Sequence, residues 1–210
     1  MMRGLYLVTD RRACGEKSLE EVVCQAVQGG VSYVQLREKN LSTRLFVAEA
    51  KMIQKLLEPF GVPLIINDRV DVALACGARG VHLGQQDMPC QDARRLMGKN
   101  AIIGLSVETW TDVEAAQDVD VNYIAVSPVF PTPTKTDTQG AWGLEGISRI
   151  KRFSRHPLVA IGGIHPANVK DVVRAGADCI ACVSAICRAP HPKETARSIH
   201  QLIEGALKER

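Results

Sequence analysis

The chain has 210 residues, of which 46% are hydrophobic and 23% charged, with a formal net charge of +3 at pH 7. Such a length and composition suit one large α/β domain with a full apolar core. The near balance of charge, without a long run of Lys and Arg, gives no footprint for nucleic acid and no basic tail.

From the start, MMRGLYLVTDRR holds an apolar stretch too short for a signal peptide. No later apolar run approaches the roughly 18 residues a bilayer span requires. A cytoplasmic protein with no membrane partner is expected. Eight short, nearly continuous apolar runs follow one another. They are LYLVT (5–9), SYVQL (32–36), PLIIN (63–67), GVHL (80–83), IIGLS (102–106), YIAVS (123–127), LVAIG (158–162) and CIACVS (179–184). Runs of this kind read as strands buried on both faces, as in a parallel sheet.

Helical patterns lie between them. In 18–28, Leu19, Val22, Val23, Ala26 and Val27 recur with helical period, and Ser18 with Glu21 spells a capping box. In 41–57 the predicted stripe is Leu45, Ala48, Met52 and Leu56. In 166–176, Pro166 suits a first helical turn, and Val169, Val172 and Val173 face inward. At the end Ala196, Ile199, Ile203, Ala206 and Leu207 repeat the pattern. AVQGGVSYVQL, ALACGARGVHL and VRAGADCIACV share one plan of helix end, glycine and strand. Strand and helix alternating eight times predict a single (β/α)₈ TIM barrel over 1–210. The first loop lacks G-x-G-x-x-G, which disfavours a dinucleotide-binding sheet.

A barrel gathers function at the C-terminal ends of its strands. Those ends carry Arg37-Glu38-Lys39, Asn67-Asp68-Arg69, Gly84-Gln85-Gln86-Asp87, Ser106, the loop SPVFPTPTKTD (127–137) with Lys135, Gly162-Gly163 and Val183-Ser184. The opposite ends read as punctuation. Arg37, Lys39 and Lys135 would repel one another unless an anion sits among them. Arg offers a fork that matches phosphate, and Lys a point charge. Asp68 and Asp87 come from adjacent strands, and two carboxylates beside phosphate-binding cations suggest Mg²⁺, which takes oxygen ligands. The set reads as a magnesium pyrophosphate site. The glycines after strand 7 and Val183-Ser184 suggest a second site, for a monophosphate held by backbone N–H groups.

Simpler roles compete residue by residue. Asp68 can cap the next helix, Gly162-Gly163 can serve a tight turn, Lys39 can be solvated, and His82 can be a satisfied interior histidine. Trp110 and Trp142 read as packing residues. Cys179 and Cys182 form a C-x-x-C within a strand, so they point to opposite faces and cannot share a metal. They read as small core residues.

The motifs VQLREK (34–39), INDRVDVAL (66–74), GVHLGQQDMP (80–89), IGLSVET (103–109), SPVFPTPTKTD, AIGGI (160–164) and VSAI (183–186) together resemble the thiamine-phosphate synthase family. The resemblance runs from LYLVTD to VSAI, most of the chain, with the motifs in the family's order and spacing. It implies a transferase that joins hydroxymethylpyrimidine diphosphate to a thiazole phosphate, releasing pyrophosphate and giving thiamine phosphate. It implies that Gln35, Leu36, Arg37, Glu38, Lys39, Asn67, Ser106 and Lys135 bind the pyrimidine diphosphate. Arg37, Lys39, Ser106 and Lys135 then carry the catalysis. It implies Mg²⁺ on Asp68 and Asp87, and Thr132, Pro133, Thr134, Gly163, Val183 and Ser184 on the thiazole phosphate. Arg79 and Cys182 depart from the family pattern. Two other readings are a thiazole tautomerase of the same fold, which would lack the Asp pair and Lys135, and a silent sensor of thiamine phosphates. Composition fixes no oligomeric state.

Overall fold

In the computed structural model, residues 2–132 and 140–210 are described. The eight apolar runs form strands β1 (Gly4–Val8), β2 (Val31–Leu36), β3 (Leu64–Asn67), β4 (Gly80–Leu83), β5 (Ile102–Val107), β6 (Tyr123–Val126), β7 (Leu158–Ile161) and β8 (Cys179–Cys182). Each pairs in parallel with the next, and β1 pairs with β8, closing the barrel in sequence order. The helices are α1 (Leu19–Gln28), α2 (Thr43–Leu57), α3 (Val70–Cys76), α4 (Cys90–Met97), α5 (Trp110–Ala116), α6 (Gly143–Phe153), α7 (Val169–Ala175), the single turn α8 (Ser184–Cys187) and α9 (Pro192–Lys208). The expected (β/α)₈ barrel is therefore the fold. Among the described residues, no helix is long and apolar enough to cross a membrane.

Strand alternation splits the core in two. Outward residues such as Leu5, Leu7, Val34, Leu36, Ile66, Val81, Ile103, Val126 and Ile180 pack under the helices. Inward residues Tyr6, Val8, Ile65, Tyr123, Ala125, Val159, Cys179 and Ala181 fill the barrel. The two cysteines of the C-x-x-C fall on opposite sides of this division, Cys179 inside and Cys182 outside. Burial raises both thiols, Cys182 to about 12.

Three details differ from the sequence reading. First, the buried face of α2 is Phe46, Glu49, Ala50, Ile53 and Leu57, while Leu45 and Met52 are 56% and 46% exposed. The predicted stripe was one residue out of phase. Two overlapping apolar stripes exist on this helix, and the one with Phe46 and Ile53 wins because it buries more apolar surface. Second, the helix expected over 166–176 begins only at Val169. Pro166 lies in the preceding turn, where the His165 carbonyl accepts from the N–H groups of Asn168 and Val169. Third, Ser18 accepts from the Glu21 N–H, but Glu21 accepts from Gln25. The reciprocal capping box occurs instead at Thr109 and Asp112, starting α5.

One glycine shapes the barrel interior. A Cβ on Gly104 would lie 2.0 Å from Cζ of Tyr123. The missing side chain on β5 is what lets the Tyr123 phenol cross the barrel. Gly104→Ala is expected to cost about 2–3 kcal/mol by overpacking. For a domain of this size that corresponds to a fall in melting temperature of about 5–10 °C, measurable by calorimetry.

Candidate active site

A cavity of about 1100 Å³ opens at the C-terminal ends of the strands. Because inward and outward positions alternate, Gln35, Asn67, His82 and Ser106 are presented to it from four consecutive strands. Arg37 and Lys39 follow from the loop after β2, and Asp68 and Asp87 from the loops after β3 and β4. Thr132, Gly162, Gly163, Val183 and Ser184 line the other side.

Leu36 and Glu38 do not join them. Leu36 is fully buried in the outer core, because one step along a strand reverses the face. Glu38 accepts from Nε of Arg11 at 3.1 Å, away from the cavity. Pro133, Thr134 and Lys135 lie outside the described residues.

Asp68 does not cap α3. That helix starts after Arg69, which makes no side-chain cap bond. Asp68 instead adopts φ 62°, a left-handed conformation uncommon outside glycine. Its N–H donates to the His82 carbonyl at 2.8 Å, and its carboxylate pairs with Lys39. Lys39 is thus engaged rather than merely solvated. Asp87 is held by a tight turn, with Oδ2 accepting from the Gly84 N–H at 2.7 Å. Burial pushes the Asp87 carboxyl up, with further upward pressure from the adjoining Asp68 side chain. Two carboxylates thus meet at one edge of the cavity, with Lys39 beside them. Among the described residues, no group of three or more His, Cys, Asp or Glu gathers to hold a metal. An ion bound at this pair would need oxygens from a ligand, the coordination habit of Mg²⁺ with phosphates.

Arg37 is placed by its backbone. Its N–H donates to Oγ1 of the buried Thr9 at 3.0 Å, and the Thr9 N–H donates to the Gln35 carbonyl at 2.9 Å. The guanidinium lines the cavity and makes no ion pair among the described residues.

The glycine pair after β7 has a packing role that the sequence left open. Gly162 and Gly163 have φ of 104° and 66°. A Cβ on them would lie 2.7 Å from side-chain atoms of Pro128 and Phe130. The missing side chains let the loop after β6 lie directly on β7, with the Phe130 N–H donating to the Gly162 carbonyl at 3.0 Å. The loop entering with Ser127 is therefore docked through residue 132 against the side of the cavity formed by β7 and β8.

Several cavity residues were missed from sequence. Asp112 and Thr109 are spent on the cap of α5. Arg188 lines the cavity just beyond α8, outside every motif singled out in the sequence. His165 and Asn168 line it from the turn before α7, and the Asn168 side-chain amide donates to the Gly163 carbonyl at 2.9 Å. Tyr6 reaches the cavity from inside the barrel. A Tyr within an apolar run gives no signal beyond packing.

With this geometry in place, the comparisons are informative. Residues 5–186 match the family described as thiamine monophosphate synthase. A thiamine-phosphate synthase of Albidiferax ferrireducens is 56% identical over 201 residues, covering 96% of this chain and 92% of that protein. One of Leptospira biflexa is 56% identical over 197 residues, covering 92% of this chain and 94% of the relative. The solved thiamine phosphate pyrophosphorylase from Pyrococcus furiosus superposes with a TM-score of 0.89 at 36% identity, covering 97% of this chain and 96% of that one.

Proposed function

The chain belongs to the thiamine monophosphate synthase family, a family of transferases, and we propose that it couples hydroxymethylpyrimidine diphosphate to a thiazole phosphate with Mg²⁺ as cofactor. Thiamine phosphate and pyrophosphate are the products, and the reaction runs in the cytoplasm. The observation that carries this reading is the meeting of Arg37, Lys39, Asn67, Asp68, Asp87 and Ser106 around one cavity.

In this reading the diphosphate lies across Arg37, Lys39, Asn67 and Ser106, with Lys135 completing the cationic set. Asp68 and Asp87 would hold Mg²⁺, which supplies charge neutralisation for the leaving pyrophosphate. Arg37 and Lys39 stabilise the same negative charge as it grows while the C–O bond breaks. The aminopyrimidine donates electrons to the methylene carbon it carries, so that carbon tolerates cationic character. The thiazole phosphate is held by Thr132, Gly163, Val183 and Ser184, with Pro133 and Thr134 in the same loop. Its ring nitrogen already bears a lone pair, so no general base is required, and proximity does much of the work. The pair Asp68 and Asp87 favours this reading over the tautomerase alternative.

The test is incubation with both substrates and Mg²⁺, following thiamine phosphate and pyrophosphate together. One coupled product per pyrophosphate released is expected. EDTA is expected to abolish turnover, and excess Mg²⁺ to restore it. Turnover that persists in EDTA would remove the metal from the scheme. Failure to form the coupled product at all would refute the assignment.

A further inference from the structure

A chain of hydrogen bonds crosses the barrel interior beneath the cavity. Gln35 Nε2 donates to the Tyr6 hydroxyl at 2.8 Å. The Tyr6 and Tyr123 hydroxyls are 3.1 Å apart. The Tyr123 hydroxyl is 3.0 Å from Nδ1 of His82, and Nε2 of His82 is 2.9 Å from Oγ of Ser106. Both ends, Gln35 and Ser106, line the cavity. The middle is buried and held by ring packing, with Tyr6 and Tyr123 edge to face at 6.1 Å and His82 stacked on Tyr123 at 5.6 Å.

Each link in such a chain has one proton, so the links cannot orient independently. Burial raises both phenols, so they stay protonated and each gives one hydrogen. Only two continuous arrangements exist for a neutral imidazole. In one, every hydrogen points from Gln35 toward Ser106, so Gln35 donates inward through Nε2 and Ser106 turns its hydroxyl hydrogen to the cavity. In the other, the Gln35 amide turns over so that Oε1 accepts from the Tyr6 hydroxyl, every other bond reverses, the imidazole changes tautomer, and Ser106 donates to His82.

An anion only accepts hydrogen bonds. A diphosphate at Ser106 therefore selects the first arrangement, the same one in which Gln35 Nε2 donates to Tyr6. Oε1 of Gln35, which makes no hydrogen bond among the described residues, is then left as an acceptor. An exocyclic amine satisfies it, whereas an exocyclic carbonyl opposes it. We propose that Gln35, Tyr6, Tyr123, His82 and Ser106 form a polarised relay, through which the anion bound at Ser106 fixes Gln35 as an acceptor and makes the site select a 4-aminopyrimidine diphosphate over its 4-oxo counterpart. This rests on the function proposed above. Tyr6, Tyr123 and His82 are positioning residues in it, acting through Gln35 and Ser106.

The experiment compares kcat/KM for the 4-amino and 4-oxo pyrimidine diphosphates in the parent, Tyr123→Phe and Tyr33→Phe. Tyr33 packs edge to face on Tyr6 at 5.8 Å, and none of the four links above runs through it. The parent is expected to favour the amine by about a thousandfold or more, since rejection by unpaired polar groups reaches that scale. Tyr123→Phe cuts the relay, so the selectivity ratio is expected to fall at least about tenfold, while Tyr33→Phe keeps the parental ratio. An unchanged ratio in Tyr123→Phe, with the parent active, would overturn the relay and leave the proposed function standing. A parent that makes no coupled product would remove both. Nitrogen NMR of the parent with inorganic pyrophosphate and Mg²⁺ gives a second check that needs no variant. His82 protonated on Nε2 is expected, and a proton on Nδ1 would overturn the proposal.

Discussion

An Asp87→Asn protein is expected to lose about 100- to 1000-fold in kcat/KM and yet to melt at a higher temperature than the parent when no Mg²⁺ is present. The loss follows from the assigned task, because an ion that neutralises a leaving pyrophosphate supplies several kcal/mol. The gain follows from electrostatics without the ion. The Asp87 carboxyl is pushed up by burial and by the adjoining Asp68 carboxyl. A carboxyl whose folded pKa lies above its unfolded value binds its proton more tightly when folded. Folding stability then falls as pH rises through the interval between the two values, and the whole cost is present at pH 7. Asparagine removes that cost and keeps an oxygen to accept from the Gly84 N–H, which Asp87 now does at 2.7 Å. Melting curves from pH 4 to 8 are expected to be flatter for the variant. Mg²⁺ is expected to raise the melting temperature of the parent by mass action, and to raise that of the variant less. A variant with parental activity would show that Asp87 does not hold the ion.

The fold was legible because its signal is redundant. Each strand is buried on both faces, so its apolar run stands out wherever it ends. The eight runs matched the eight strands to within a residue or two. The phase of α2 was not legible, since Leu45, Ala48, Met52 and Leu56 repeat as regularly as Phe46, Ala50, Ile53 and Leu57. Only the volume available under the helix chooses between them. The start of α7 failed for another reason. Pro166 is compatible with a first helical turn and equally with the turn that precedes one.

The site was legible where charge had to be explained. Cations and acids at strand ends serve no packing purpose, and the cavity gathers Arg37, Lys39, Asp68 and Asp87. Leu36 and Glu38 sit in the same contiguous motif but do not line the cavity, because a motif read as a string carries neither the alternation of the strand nor the turn that follows it. Leu36 faces the helices, and Glu38 turns to Arg11. Tyr6 and Tyr123 were under-read for the opposite reason. Inside an apolar strand a tyrosine looks like core, and its hydroxyl partner comes from 117 residues away. Arg188 went unnoticed because α8 is a single turn, too short to carry a period.

Arg37→Ala is expected to lower kcat/KM by about 100- to 1000-fold, the usual cost of removing one donor aimed at charge that develops in the transition state. The residue is suited to that task by what it lacks. Lys39 is paired with Asp68, and Arg11 is shared between Glu38 and Glu49. Arg37 has no carboxylate partner among the described residues, while its main chain is pinned to Thr9. Its charge is therefore available to a ligand without breaking an ion pair. If Arg37 acts on the leaving group as the bond breaks, kcat and kcat/KM should fall by similar factors. If it only binds the ground state, KM should rise with kcat unchanged. Arg37→Lys discriminates further, since lysine keeps the charge and loses the bidentate fork. A partial recovery is expected, leaving the enzyme about tenfold below the parent, with pyrophosphate a weaker product inhibitor in both variants. Full activity in Arg37→Lys would mean that charge alone suffices, and full activity in Arg37→Ala would place the leaving group elsewhere in the cavity.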